Sequence, residues 1–219
     1  MPRSDSQLSS YYAARAAEYE RIYDKPERQS DLARLRRSIP DYFVDRSVLE
    51  VACGTGYWTQ FIAPVARKIA AIDINPETLT IAGSKNFPPG RVSLDVADVH
   101  HLPPRYRDFT GAFAGFWWSH LLRADRRPFI ESLHRALGAG AVVVILDNRY
   151  VEGSSTPVSH VDADGNSFQS RRLADGSEYS VLKNFPTQAE LVADISDFGT
   201  GIEHTALDYY WVLKYEVVA

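Results

Sequence analysis

Glu50, Asp73 and Asp98 each lie at or near the end of a short apolar run, and Gly54 and Gly56 follow the first of them. Glycines there let the backbone adopt dihedrals that side chains resist and let a ligand come close to the main chain. Tyr57 to Ile62 read as the start of a helix, whose free N–H groups and positive dipole end would point at that ligand. A carboxylate at the tip of the second run, Asp73, is placed for a ribose diol, and one at the tip of the third, Asp98, for an adenine amino group. The expected chemistry is recognition of a nucleoside-type ligand at the mouth of a parallel sheet.

A second group of residues could act on a substrate. His120 follows a fourth run, Thr110 to Phe116, and titrates in the range of a general base, although a histidine there can also simply hydrogen-bond its loop. Trp117 and Trp118 could wall an aromatic substrate or face a cation, with at least one expected in the core. Arg149, Tyr150, Arg171, Arg172 and Lys183 could meet an anionic substrate or stand as solvated surface charge. No metal is expected. His100-His101 lacks further ligands at metal spacing and reads as solvent-exposed, and the Asp162–Asn166 segment has the wrong glycine offset for a calcium loop.

The elements that must position these groups alternate. Val48–Val51, Ile69–Ile72 leading to Asp73, Val92–Val96, Thr110–Phe116 and Ala141–Leu146 read as buried strands. Between them lie a helix from Trp58 that stops or bends near Pro64, one capped by Asn75-Pro76, and one whose face of Phe129, Ile130, Leu133 and Leu137 closes at Gly138. Ahead of the first strand, Met1–Gln7 reads as frayed. A helix then follows Ser9 or Ser10, carrying the stripe Tyr12, Ala16, Tyr19 and Tyr23, and a second runs from Glu27 to Phe43. Residues 148–184 break the alternation, with a hairpin expected between Phe168 and Leu182 around Asp175-Gly176. Thr187 to Glu190 form a capping box, and two closing strands, His204–Asp208 and Tyr210–Val218, suggest an antiparallel pair.

The set VLEVACGTGYWT, AIDIN and DVADV resembles the class I S-adenosylmethionine-dependent methyltransferases of small-molecule type. The likeness runs from about Leu8 to the C-terminus, with the specific motifs in the first half. It implies an α/β fold: a Rossmann-like, doubly wound seven-stranded sheet, mostly parallel with a reversed C-terminal strand, N-terminal lid helices and a β-rich insert after strand 5. One domain would span 1–219, with a lid at 1–43, a cofactor half at 44–147, a substrate cap at 148–184 and a closing helix and hairpin at 185–219.

By the same resemblance Glu50, Ala52, Gly54 and Gly56 line the methionine end of the cofactor. Asp73 takes the ribose, Ile74 packs on adenine, Asp98 and Val99 meet its edge, and Phe116 lies beside them. The YY-x-x-R-A-x-x-Y helix closes over the site through Tyr11, Tyr12 and Tyr19, with Tyr12 also a candidate for substrate. S-adenosylmethionine would be consumed to S-adenosylhomocysteine by in-line displacement, with no metal. An acceptor that is already anionic needs no base, whereas a phenol or amine can need a proton removed.

The alternative is a non-catalytic protein that binds this cofactor. A nicotinamide dehydrogenase is disfavoured because Thr59 stands where its fingerprint wants a third glycine. GFWWSH replaces the Asp/Asn-Pro-Pro-aromatic motif of enzymes that methylate nucleic-acid amino groups, and no paired-glutamate loop of the protein arginine kind is present. Both gaps point to a small-molecule acceptor. With 219 residues, a net charge of −4 and no basic run longer than a pair, nucleic acid and membrane are not expected partners. A single cysteine, Cys53, and no secretory signal suit the cytosol. Oligomeric state and the acceptor atom are not specified.

Overall fold

The computed structural model describes residues 4–173 and 175–218. Five strands come first: β1 (Ser47–Val51), β2 (Lys68–Asp73), β3 (Val92–Val96), β4 (Phe109–Gly115) and β5 (Leu137–Asn148). An insert holds β6 (His160–Val161), β7 (Ser167–Arg172) and β8 (Glu178–Leu182), and the chain closes with β9 (Gly199–Ala206) and β10 (Tyr210–Val217). The main sheet has the order β3-β2-β1-β4-β5-β10-β9, and the insert strands make a separate three-stranded sheet. β1 to β5 run parallel, while β10 lies antiparallel between β5 and β9. The fold class expected from the motifs is the one observed.

Helices cover both faces: α1 (Ser4–Arg15), α2 (Gln29–Asp41), α3 (Thr59–Ile62), α4 (Pro76–Gly83), α5 (Arg126–His134) and α6 (Gln188–Ile195). β5 shows why its apolar run is unbroken. Val142, Val144 and Leu146 join the core under α2, α3 and α4, whereas Ala141, Val143 and Ile145 join the one under α5 and α6. A strand with neighbours on both edges and helices on both faces has no side left for water. The hairpin in the insert has the expected register, Phe168 opposite Leu182, and Thr187 and Glu190 form the expected capping box.

Several boundaries differ from the sequence reading. α1 starts at Ser4, ahead of Ser9 and Ser10, while residues 1–3 of the stretch expected to fray lie outside the described residues. From Ala16 to Tyr23 the chain winds as a 3-10 helix. That tighter turn eclipses side chains three apart, so Ala16, Tyr19 and Ile22 share one side. α3 has four residues, and the turn before it extends to Trp58, so little macrodipole is available to the ligand. Leu137 pairs with Phe109 in β5, so α5 ends at His134 and Gly138 is a strand residue instead of a helix cap.

Candidate active site

The chain builds β1, β2 and β3 outward, then returns to place β4 on the other side of β1. Where strand order reverses in this way, the loops beyond the carboxyl ends diverge and leave a crevice. A cleft of about 890 Å³ opens there. It is lined by Ala52 and Gly54 after β1, by Asp73 to Asn75 at β2, by Ala97 to His100 after β3 and by Gly115 to Trp117 at β4. Ala52 and Phe116, on the two sides of the reversal, both adopt left-handed backbone conformations, with φ of 50° and 61°. Each costs about 1–2 kcal/mol for a residue with a side chain, so the surrounding structure must hold them there.

Gly54 also has positive φ, 56°, and a Cβ added to it would point at Tyr19 Cε1, 3.9 Å away, across the gap between turn and roof. Its N–H donates to Asp73 Oδ2 and the Asn75 N–H donates to Asp73 Oδ1, each at 2.8 Å. Burial pushes the Asp73 carboxyl up, and those two donors oppose the shift. The Thr78 hydroxyl and the Ile74 N–H also face this carboxyl and favour its charged form. Asp98 Oδ1 accepts from His100 N at 2.9 Å, and its Oδ2 lies 2.8 Å from His101 Nδ1. Burial alone would raise Asp98, but these histidine contacts hold it below the usual carboxylate range. Ile74 is 48% exposed at the rim, and Trp117 Nε1 is buried with no hydrogen-bond partner among the described residues.

A second cleft, of about 750 Å³, adjoins the first. Its lining comes from the N-terminal segment, including Arg15, Lys25 and Arg28, and from the insert, including Gln169, Arg171 and Lys183. Tyr12, Tyr19, Phe116 and His120 line both clefts and form the wall between them. His120 Nδ1 lies 2.7 Å from the Leu182 carbonyl, so that nitrogen carries the proton. Its Nε2 is therefore the acceptor, and Tyr12 Oη donates to it at 2.7 Å. Burial and the nearby Lys183 charge push His120 down to about 3, and burial pushes the Tyr12 phenol up. Lys183 Nζ in turn sits 3.0 Å from Asp147 Oδ1, and Asp147 Oδ2 accepts from Ser119 N at 2.8 Å. Lys183 and neighbouring N–H groups hold Asp147 low despite its burial. This pair ties the end of the insert hairpin to the end of β5.

Comparison with known proteins bears on the fold and on the stretch that carries the first cleft. The sequence profile of a methyltransferase domain family matches residues 48–140, which span the glycine turn, Asp73, Asp98 and His120. A solved DhpI–SAH complex aligns over 97% of this chain and 96% of its own, at 26% identity and a TM-score of 0.77. The chain is thus similar to S-adenosylmethionine-dependent methyltransferases. A DhpI–SAM–HEP complex aligns equally well, at 25% identity and a TM-score of 0.77, over 98% of both chains. A probable S-adenosylmethionine-dependent methyltransferase of Mycobacterium tuberculosis, MT3114, is 31% identical over 63% of this chain. The match spans about half of that curated relative, 47% of its length. A Burkholderia thailandensis 1,6-didemethyltoxoflavin-N1-methyltransferase shares the fold at 15% identity, a TM-score of 0.64 and coverage of 98% and 89%.

The chain brings together Ala52, Gly54, Asp73, Ile74, Asp98, Val99, Phe116 and Trp117 in the first cleft, with Tyr12, Tyr19 and His120 on the shared wall. Other candidate residues lie outside that cleft. Glu50 is 2% exposed and lines neither cleft, because its side chain points back beneath the glycine turn, where burial pushes it up to about 8. Gly56 lines neither, since its α-carbon faces α4, where an added Cβ would meet Ala82 Cβ and Phe87 Cζ at 3.1 Å. Tyr11 faces the second cleft, where Arg15 donates to its hydroxyl, instead of the first. Trp118 is fully buried against Phe129 in the core.

Arg149 is spent on the carbonyls of Leu207 and Asp208, and Tyr150 packs on Phe185 outside the cleft. Arg172 also lies outside the lining, whereas Arg171 and Lys183 are within it. Of the histidine pair, His101 is exposed but His100 lines the first cleft. The sequence reading missed Lys25 and Arg28, for which it held no local signal. Arg15 had one, since it stands four residues after Tyr11 on the same helix face.

Proposed function

We propose that this protein transfers a methyl group from S-adenosylmethionine to a small organic acceptor, with the cofactor in the strand-tip cleft and the acceptor in the adjoining one. The observation that carries the reading is the shared wall of Tyr12, Tyr19, Phe116 and His120, which lets two ligands meet across one set of side chains. Fit to the cofactor rests on two features of the cleft. The space beside Gly54 would be occupied by any Cβ, and Asp73 is a buried carboxylate at the cleft lining, held in orientation by two N–H groups.

When bound, the cofactor supplies an already activated sulfonium methyl. Asp73 would hold the ribose hydroxyls, Ile74 and Trp117 the two sides of the adenine, and Asp98 with Val99 its edge. Phe116 and the tyrosines would exclude water from the transfer path. Residues 148–184 would act as the cap that shapes the acceptor cleft, and the protein would work in the cytosol, which suits its free, buried Cys53. Calorimetry with S-adenosylmethionine and S-adenosylhomocysteine tests the reading. Binding of both is expected, and failure of both to bind at millimolar concentration would overturn it.

A further inference from the structure

Arg15, Lys25, Arg28, Arg171 and Lys183 line the second cleft, and among the described residues no aspartate or glutamate does. Lys183 has its counter-ion in Asp147. Among the described residues the other cations enter no ion pair. They are held directly by neutral oxygens, with the exposed Glu27 carboxylate reaching Arg28 only through the Ser154 hydroxyl. Arg15 donates to Tyr11 Oη at 2.7 Å, Arg28 to Asn148 Oδ1 at 3.0 Å, Lys25 to the Ser154 carbonyl and Arg171 to Gln169 Oε1. The Nε of Arg171 is buried and has no hydrogen-bond partner among the described residues. Burial and the charges of Arg28 and Arg171 push both Lys25 and Lys183 down, which marks how closely these charges crowd. Like charges gathered in a half-enclosed cleft destabilise the fold unless something negative joins them.

We infer that the acceptor is a small organic dianion, bound through its oxyanion groups by Arg15, Lys25, Arg28 and Arg171, and that one of its own oxygens takes the methyl group. The inference rests on the methyltransferase reading. A single negative charge would leave most of the cationic lining unmatched, and the cleft, at about 750 Å³, is of the size that small-molecule sites have. The shared wall agrees. His120 already accepts from Tyr12 and is fixed as the Nδ1–H tautomer, so it has no free lone pair for an acceptor proton. An oxyanion needs none removed. Its oxygen forms the new bond to the methyl carbon, the sulfur–methyl bond breaks, and that electron pair stays on sulfur as a neutral thioether. No proton is released.

Titration of the protein with inorganic phosphate, succinate and acetate, each with and without S-adenosylhomocysteine, tests this. Phosphate or succinate is expected to bind at least about 10-fold more tightly than acetate, and the stronger of the two tells a phosphoryl-type acceptor from a dicarboxylate. Arg171→Gln and Arg15→Gln should each weaken that binding about 10-fold while S-adenosylhomocysteine binds within about twofold of wild type. Normal S-adenosylhomocysteine binding with no preference for either dianion, or with dianion binding unchanged in both variants, would overturn the inference and leave the methyltransferase reading standing. Loss of S-adenosylhomocysteine binding by the wild-type protein would instead remove the reading beneath it.

Discussion

The two clefts that meet at Tyr12, Tyr19, Phe116 and His120 are assembled in different ways. The first is made of strand tips. Its side chains follow directly from β1, β2, β3 and β4, and its ionised groups are carboxylates satisfied by neighbouring N–H groups. The second is made of segments far apart in the chain, with cations from the N-terminal helices facing cations from the insert. A parallel sheet fixes the first cleft wherever its strands run. The second exists only if the insert and α1 dock together, as they do through Leu8, Tyr11, Val181 and the Tyr11–Tyr179 ring contact at 5.4 Å. Rigid, locally encoded geometry thus builds the first cleft, and long-range docking builds the second.

The sharpest way to break this contrast is to cut the tie between the two regions. Lys183→Met leaves Asp147 buried and unpaired, and should cost about 3–5 kcal/mol of stability in urea unfolding. The double variant Lys183→Met with Asp147→Asn should recover most of that loss. Asp73→Ala addresses the first cleft alone. It should weaken S-adenosylhomocysteine binding about 100-fold by calorimetry, roughly 3 kcal/mol of charge-assisted hydrogen bonding, while phosphate or succinate binding to the second cleft is retained.

Glu50 tests whether the position beneath the glycine turn of the first cleft is purely structural. The folded chain keeps this carboxyl protonated up to about pH 8, whereas the unfolded chain loses the proton near its ordinary value of 4.5. The folded state therefore binds more protons across that interval, and stability falls as pH rises through it. Glu50→Gln should remove this dependence and raise stability by about 1–2 kcal/mol at pH 8, with little gain at pH 4.5. Unchanged S-adenosylhomocysteine affinity would accompany it, because the side chain lies under the turn. Tyr12→Phe is the mildest change. Losing one hydrogen bond to His120, about 1 kcal/mol, should lower kcat about fivefold while both ligands still bind within about twofold.

Most of the first cleft was legible in the sequence because its signals are local. An apolar run followed by Asp73, or by Ala97-Asp98-Val99, is a strand with its tip, and the side chain one residue beyond a parallel strand can only face the crevice or the loop. What failed there failed over the direction of single groups. Glu50 and Gly56 have the right residue types at the right spacing, but alternation along β1 turns Glu50 beneath the turn and the turn's own twist sets Gly56 against Ala82. Trp117 and Trp118 are adjacent and alike, and only packing decides that one lines the cleft while the other fills the core beside Phe129.

The amino-acid sequence by itself determined the sheet, its glycine turn and the acidic tips, since hydrophobic period and turn chemistry act over a few residues and need no distant partner. Which cations gather in one place was decided by the tertiary structure alone. Arg15 and Arg171 are separated by most of the chain, and nothing in either segment records that docking brings both to one cleft. Local signals carry backbone shape, whereas the field inside a cavity is a sum over segments that only folding brings together.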